Sequence, residues 1–233
     1  MGFNQVILYL PSMLQGVLLT VSLALGSLAV AVVFGLIGAA LKTSDKPVFV
    51  SLASIYSTVV RGIPELIWIF FTYYGIQMLI NAMADRLEVV PVSLSPFIAG
   101  VLTLGFVYGA FFTETFRGAI LSIPHGQFES ARAYGMNGWQ VFSRITFPQL
   151  MRHALPGIRN NWLALTKATA LVSVIGLTDV VRIAQQAGAS QSASFAFNCV
   201  SALMFLVLTS ASFIIFNKLE KRFSRGMKGL KRG

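Results

Sequence analysis

Apolar residues in this chain come in long blocks, and polar residues gather between them. The first block covers residues 14–41 and is cut by Lys42 and Asp45. The second covers residues 48–83, with Arg61-Gly62-Ile63-Pro64-Glu65 in its middle. A third runs over 96–113 and on to Leu121, a fourth over 155–177 with Lys167 inside it, and a fifth over 195–217. A helix needs about 20 apolar residues to cross a hydrocarbon layer about 30 Å thick. The blocks therefore predict about five membrane spans. Backbone groups in lipid must bond to one another, which leaves helices or closed barrels. The ten-residue alternation of a barrel is missing, so the spans are expected to be helices. Proline removes a helix hydrogen bond and steers the preceding residue away from helix. The second block reads as one long kinked element, because residues 48–60 alone are too short to cross.

Composition agrees. Of 233 residues, 55% are hydrophobic and 11% charged, where a soluble domain carries about 25% charge. Too few polar groups are present to cover a surface in water. A net charge of +10 can signal nucleic acid, yet no basic stripe with interleaved aromatics occurs. The basic residues divide unequally between two sides of the membrane. One side holds Lys42 and Lys46, then Arg132, Arg144 and Arg152, then seven Lys and Arg from Lys218 to Arg232. The other holds Arg86 and Arg182 beside Asp85, Glu88 and Asp179. Cytoplasmic loops collect Lys and Arg, so the first side is expected to be cytoplasmic. The C-terminus is then inside, and an odd number of spans puts the N-terminus in the periplasm. Residues 2–41 carry no charge, so the positive region of a secretory signal is missing. Cys199, the single cysteine, reads as a small buried hydrophobe, and no metal-ligand spacing is visible.

The most informative stretch is polar. It reads Glu129-Ser-Ala-Arg-Ala-Tyr-Gly135-Met-Asn-Gly-Trp-Gln-Val-Phe-Ser-Arg-Ile145-Thr-Phe-Pro148. Pro124 and Gly126 close the preceding helix. Residues 127–134 predict a short helix, with Gly135 at the left-handed position that follows it. Asn137 is placed to cap a second short helix through Ile145, which Pro148 is expected to end. The outcome is a helix–turn–helix hairpin with Phe128, Tyr134, Trp139 and Phe142 available for packing. Aromatic residues on a short rigid helix suit a docking site; an ordinary loop packed on its own helices is the other reading.

At these positions the chain resembles the permease subunit of ABC importers. The cytoplasmic loop of that family reads Glu-Ala-Ala, three residues, Gly, nine residues, Ile-x-Leu-Pro. Glu129, Ser130, Ala131, Gly135, Ile145, Phe147 and Pro148 stand at that spacing, with Ser130 and Phe147 as mild departures. The likeness extends to Gln15-Gly-Val-Leu-Leu-Thr20, Arg61-Gly-Ile-Pro-Glu65, Gly109-Ala-Phe-Phe-Thr-Glu-Thr-Phe-Arg-Gly118 and Lys167-Ala-Thr-Ala-Leu171. These runs are similar to the polar-amino-acid branch, of histidine/lysine/arginine/ornithine and opine type. The resemblance implies an all-α, type I importer permease fold of about five transmembrane helices with a cytoplasmic coupling-helix hairpin. It also implies two ATPase subunits, a second permease subunit that is a paralogue, and a periplasmic substrate-binding protein. The Gly-x4-Gly-Lys-Ser/Thr phosphate loop is absent from the sequence. This chain is therefore expected not to be an enzyme and to hold no cofactor, with ATP and Mg on the partner subunits.

Ionisable groups inside spans are costly and suggest function. Glu65 follows the Gly-Ile-Pro break, where a broken helix opens a polar niche. Glu114 is a second carboxylate suited to a cationic substrate, since a desolvated cation needs a paired anion. Each has a plainer reading, Glu65 with Arg61 and Glu114 with Arg117 as neighbours on one helix face. Tyr73 and Tyr108, with Tyr74, line a pathway or form the interfacial aromatic belt. Lys167 reads as a gate or helix contact, and Asn161, with Asn160, as interhelical glue.

The whole chain, 1–233, is expected to form one transmembrane domain. Residues 122–154 form its cytoplasmic coupling loop, and 218–233 a basic tail at the anionic lipid of the inner leaflet. The expected action is import of a polar, basic amino acid across the inner membrane by alternating access. An ion-gradient transporter would also account for the broken helix and the carboxylates, but it has no use for the hairpin. A scaffold without a pathway is the remaining class.

Overall fold

The computed structural model describes residues 2–223, with side chains from Gln5 onward. Helix α1 spans Gly2–Lys42, α2 Pro47–Gly62, α3 Glu65–Leu87 and α4 Pro96–Leu121. Two short helices follow, α5 at His125–Ala133 and α6 at Gly138–Val141. A π-helical turn at Phe142–Thr146 leads into α7, Phe147–Ala168, and a 3₁₀ segment continues to Ile175. Helices α8, Val180–Ser190, and α9, Ser194–Phe223, complete the described chain. Among the described residues, four helices are long and apolar enough to cross a membrane. They are α1 from Gln5, α3, α4 and α9. A fifth span is formed if the helix from Gly138 to Ile175 is counted with α8, which is bent from it by 52°.

Helix α4 is the axis. It is buried over most of its length, and α1 lies along it. Small residues allow that close approach. A Cβ added at Gly38 of α1 would overlap the Thr113 side chain, and one at Gly109 of α4 would come 2.8 Å from the Tyr56 hydroxyl. Phe112, Leu104, Val107 and Leu165 fill the core around this pair. A second cluster joins Met13, Val180, Ala184 and Phe197, which ties α8 and α9 to the start of α1. Helices α3 and α9 remain largely exposed, as expected where lipid or another subunit supplies the cover.

Several expectations change. Helix α1 begins at Gly2, well before residue 14, and carries Pro11 inside it. The second block is not one kinked element. Ile63 (φ −108°, ψ 134°) and Pro64 (φ −56°, ψ 140°) are both extended, so α2 and α3 are separate helices. The proline ring forces Ile63 out of helix, and the missing N–H stops the ladder from resuming across the gap. The Trp68 indole N–H donates to the freed Val60 carbonyl at 3.3 Å.

Pro148 does not end the hairpin's second helix. It sits in the first turn of α7, and helix runs on from Gly138 to Ile175. A proline in a first turn has no bond to lose. The π turn, closed by the Phe147 N–H to the Phe142 carbonyl, supplies such a start inside a longer helix. Helix α8 was not expected; the Asp179 side chain caps it by accepting from the Arg182 N–H at 2.9 Å. Residues 218–223 of the expected tail belong to α9, and residues 224–233 lie outside the described residues.

Candidate functional site

The hairpin is built from local rules. After α5, Gly135 takes φ +72°, a region that costs little only without a Cβ. The Met136 N–H donates to the Ala131 carbonyl at 3.1 Å, closing the turn. Asn137 accepts from the Gln140 N–H at 2.9 Å, and the Gln140 side chain accepts from the Asn137 N–H at 3.0 Å. This reciprocal capping box fixes where the next helix starts. Ala131 is buried beneath the hairpin, while Glu129 and Ser130 face outward. Ile145 and Pro148 are half-buried, and Phe147 is more exposed. Tyr134 and Trp139 are 85% and 73% exposed, so two large rings stand in the open at the tip. Glu129, Arg132, His125 and Phe128 line a cavity of about 560 Å³ that also reaches Thr43.

The break between α2 and α3 holds a second group of predicted residues. Glu65, half-buried, opens α3, and the Tyr108 phenol of α4 faces its carboxylate. Arg61 turns elsewhere; its guanidinium lies 5.2 Å from the centroid of the Phe111 ring. Among the described residues, Arg61 and Glu65 do not form an ion pair. Tyr73 is not part of this group. It packs edge-on against Tyr74 at 5.2 Å, two turns further along α3.

Glu114 belongs to a third group. One carboxylate oxygen takes the Lys42 ammonium, and the other accepts from Arg117 Nε at 2.9 Å. Lys42 also donates to the Ser57 hydroxyl at 2.7 Å, so α1, α2 and α4 meet here. Local spacing in the sequence points from Glu114 to Arg117 as a neighbour; it links neither Lys42 nor Ser57 to residue 114. Asn161 donates to the Thr115 hydroxyl at 3.0 Å and joins α7 to α4. Lys167 stands exposed on the last turn of α7. Among the described residues, no group of three or more His, Cys, Asp or Glu is placed to hold a metal.

The pattern Glu129 to Pro148, folded as a capped hairpin at the base of a spanning bundle, can be compared with known proteins. The family described as the binding-protein-dependent transport system inner membrane component matches residues 1–225. The chain belongs to this family. The HisQ permease of the histidine/lysine/arginine/ornithine transport system of Salmonella typhimurium is 45% identical over 227 residues, covering 97% of each chain. The octopine permease OccQ of Agrobacterium tumefaciens is 38% identical over 222 residues, covering 95% of this chain and 92% of that one. Among solved structures, an amino acid ABC transporter described with histidines superposes with a TM-score of 0.79 at 26% identity. That match covers 95% of this chain and 99% of the other. The resemblance drawn from the loop motif is borne out, and so is the type I importer permease fold. The chain is a multi-pass inner-membrane permease subunit of an ABC importer, and ATP hydrolysis belongs to a separate subunit.

Proposed function

We propose that this permease carries a basic amino acid inward. The observation that carries the reading is the 45% identity to a histidine/lysine/arginine/ornithine permease, sustained along 97% of both chains. In this reading the N-terminus is periplasmic and the C-terminus cytoplasmic. Two ATPase subunits, holding ATP and Mg, dock on the coupling loop 122–154, and a second permease subunit, a paralogue, completes the path. A periplasmic binding protein delivers the substrate.

The geometry supports the following roles in this reading. Tyr134 and Trp139 are the anchors for the ATPase, because large exposed rings on a short rigid helix gain the most from desolvation. Glu129, Ser130, Ala131, Gly135, Ile145, Phe147 and Pro148 shape the hairpin that presents them. Glu65 is the pathway carboxylate, since among the described residues no cation forms an ion pair with it. Glu114 already holds two cations, and we assign it to the clamp that fixes α1 and α2 on α4. Asn161 acts in helix packing and Lys167 at the rim of the path, and Tyr73 packs against the main core. ATP binding on the partners moves the hairpins, and the spans shift between inward- and outward-facing states.

The test is purification and uptake. A stoichiometric ATPase that co-purifies, with ATP-dependent uptake of labelled arginine, lysine, ornithine or histidine into proteoliposomes, is the expected result. Uptake driven by an ion gradient without any ATPase would overturn it.

A further inference from the structure

Four aromatic rings form a file from the exposed end of the hairpin to the last turn of α9. Trp139 and Phe142 lie 5.8 Å apart between centroids. Phe142 and Phe147 lie 6.0 Å apart, and Phe147 and Phe223 6.5 Å apart in an edge-on contact.

The middle contact depends on the π turn. In an α-helix, residues five apart point about 140° away from each other. The π turn closes its bond over five residues, from the Phe147 N–H to the Phe142 carbonyl, and brings both rings to one side. Such turns are uncommon and gather at functional positions. The final contact depends on α9. Arg152 Nε donates to the Phe223 carbonyl at 3.1 Å, which holds the end of α9 beside α7. Further along, Arg159 pairs with Glu220 at 3.1 Å and lies 5.7 Å from the Phe213 ring.

We propose that the last turn of α9 is a positioning brace for the coupling helix, with Phe223 and Arg152 as its points of contact. The proposal rests on the reading of the hairpin as the ATPase-coupling element. A push received at Trp139 then has two routes into the membrane: along α7, and across the ring file into α9. Phe147 is 41% exposed, so it has little other packing to resist a sideways load. Segments with few apolar contacts deform at low free energy. Without Phe223, the π turn becomes the compliant joint, and the push is absorbed there as bending.

A contact that only packs helices would lower stability and leave coupling unchanged, so the decisive readout is substrate imported per ATP hydrolysed. It is measured on the full complex in proteoliposomes, with its ATPase and binding protein. Phe223→Ala lowers that ratio about three- to tenfold, the range one edge-on aromatic pair can supply, while the ATPase still co-purifies. Phe223→Tyr restores it, and Arg152→Gln lowers it in the same direction. Should Phe223→Ala fail to assemble, Phe223→Leu and Arg152→Gln take its place, with the same fall expected. Trp139→Ala separates the two ideas. A fall with Trp139→Ala and no change with Phe223→Ala or Arg152→Gln overturns the brace alone. No change with any of them overturns the coupling assignment of the hairpin and the brace with it.

Discussion

Lys42 at the end of α1 holds the carboxylate of Glu114 in the C-terminal third of α4, although the two residues are 72 positions apart in the chain. Lys42 is 11% exposed and Glu114 22%, so solvent screens the pair only weakly. Removing one partner strands the other in a poorly hydrated site. Lys42→Met leaves Glu114 with Arg117 alone and costs roughly 2 kcal/mol. Glu114→Gln acts in the same direction. The double variant costs less than the sum of the two, because the groups are coupled. Melting midpoints in detergent measure all three.

The close approach of α1 and α4 makes a second prediction. Gly38→Val forces a branched side chain into Thr113, and Gly109→Val meets both Phe34 and the Tyr56 hydroxyl. Neither helix can retreat without opening the core, so overpacking costs about 1–3 kcal/mol or more. Gly62→Ala meets nothing within 4 Å and is expected to be neutral. The fraction of monodisperse protein after membrane extraction separates the three variants.

The hairpin turn should be sensitive in coupling and insensitive in the bundle's stability. Gly135→Val places a branched residue at φ +72°, a strain of about 1–3 kcal/mol. Asn137→Ala removes the cap that accepts from Gln140 and costs about 1 kcal/mol. Both variants are expected to lose ATP-driven uptake with little change in the detergent melt, while Asn137→Asp retains uptake. ATPase co-purification and uptake, measured side by side, check this.

Glu65→Gln keeps the shape of the side chain and removes its charge beside Tyr108. If this carboxylate lines the path, uptake of arginine and lysine falls about tenfold or more, as when a buried charge loses its partner. Assembly with the ATPase stays intact. Glu129→Gln, which lies on the hairpin, is the matched control and leaves selectivity among substrates unchanged. Initial uptake rates for basic and neutral amino acids give the comparison.

What could be read from the sequence was local. Blocks of apolar residues announced the spans, and Gly135 and Asn137 announced the hairpin because backbone sterics and capping act over a few residues. What could not be read depends on distance. Lys42 and Ser57 find Glu114 through the packing of three helices, which no spacing encodes. Helix α8 was legible but missed: Asp179 is an N-cap residue, and Val180, Ile183, Ala184 and Ala187 recur at helical spacing, but the segment is too short to read as a span. Pro148 suggested a stop, since nothing in the sequence signals that a π turn precedes it. Phe223 fell within the expected tail of 218–233, whereas α9 runs through it and sets it against Phe147.

The unbroken helix from Gly138 to Ile175 has a consequence of scale. At 1.5 Å per residue it is about 57 Å long, nearly twice the thickness of the oily layer. Even inclined by 40°, the steep end of the usual range, it still rises about 44 Å. Part of this rod must therefore stand in water. The rings at Trp139 and the left-handed glycine at 176 are ends of one continuous helical run, jointed at its π turn, that outreaches its solvent.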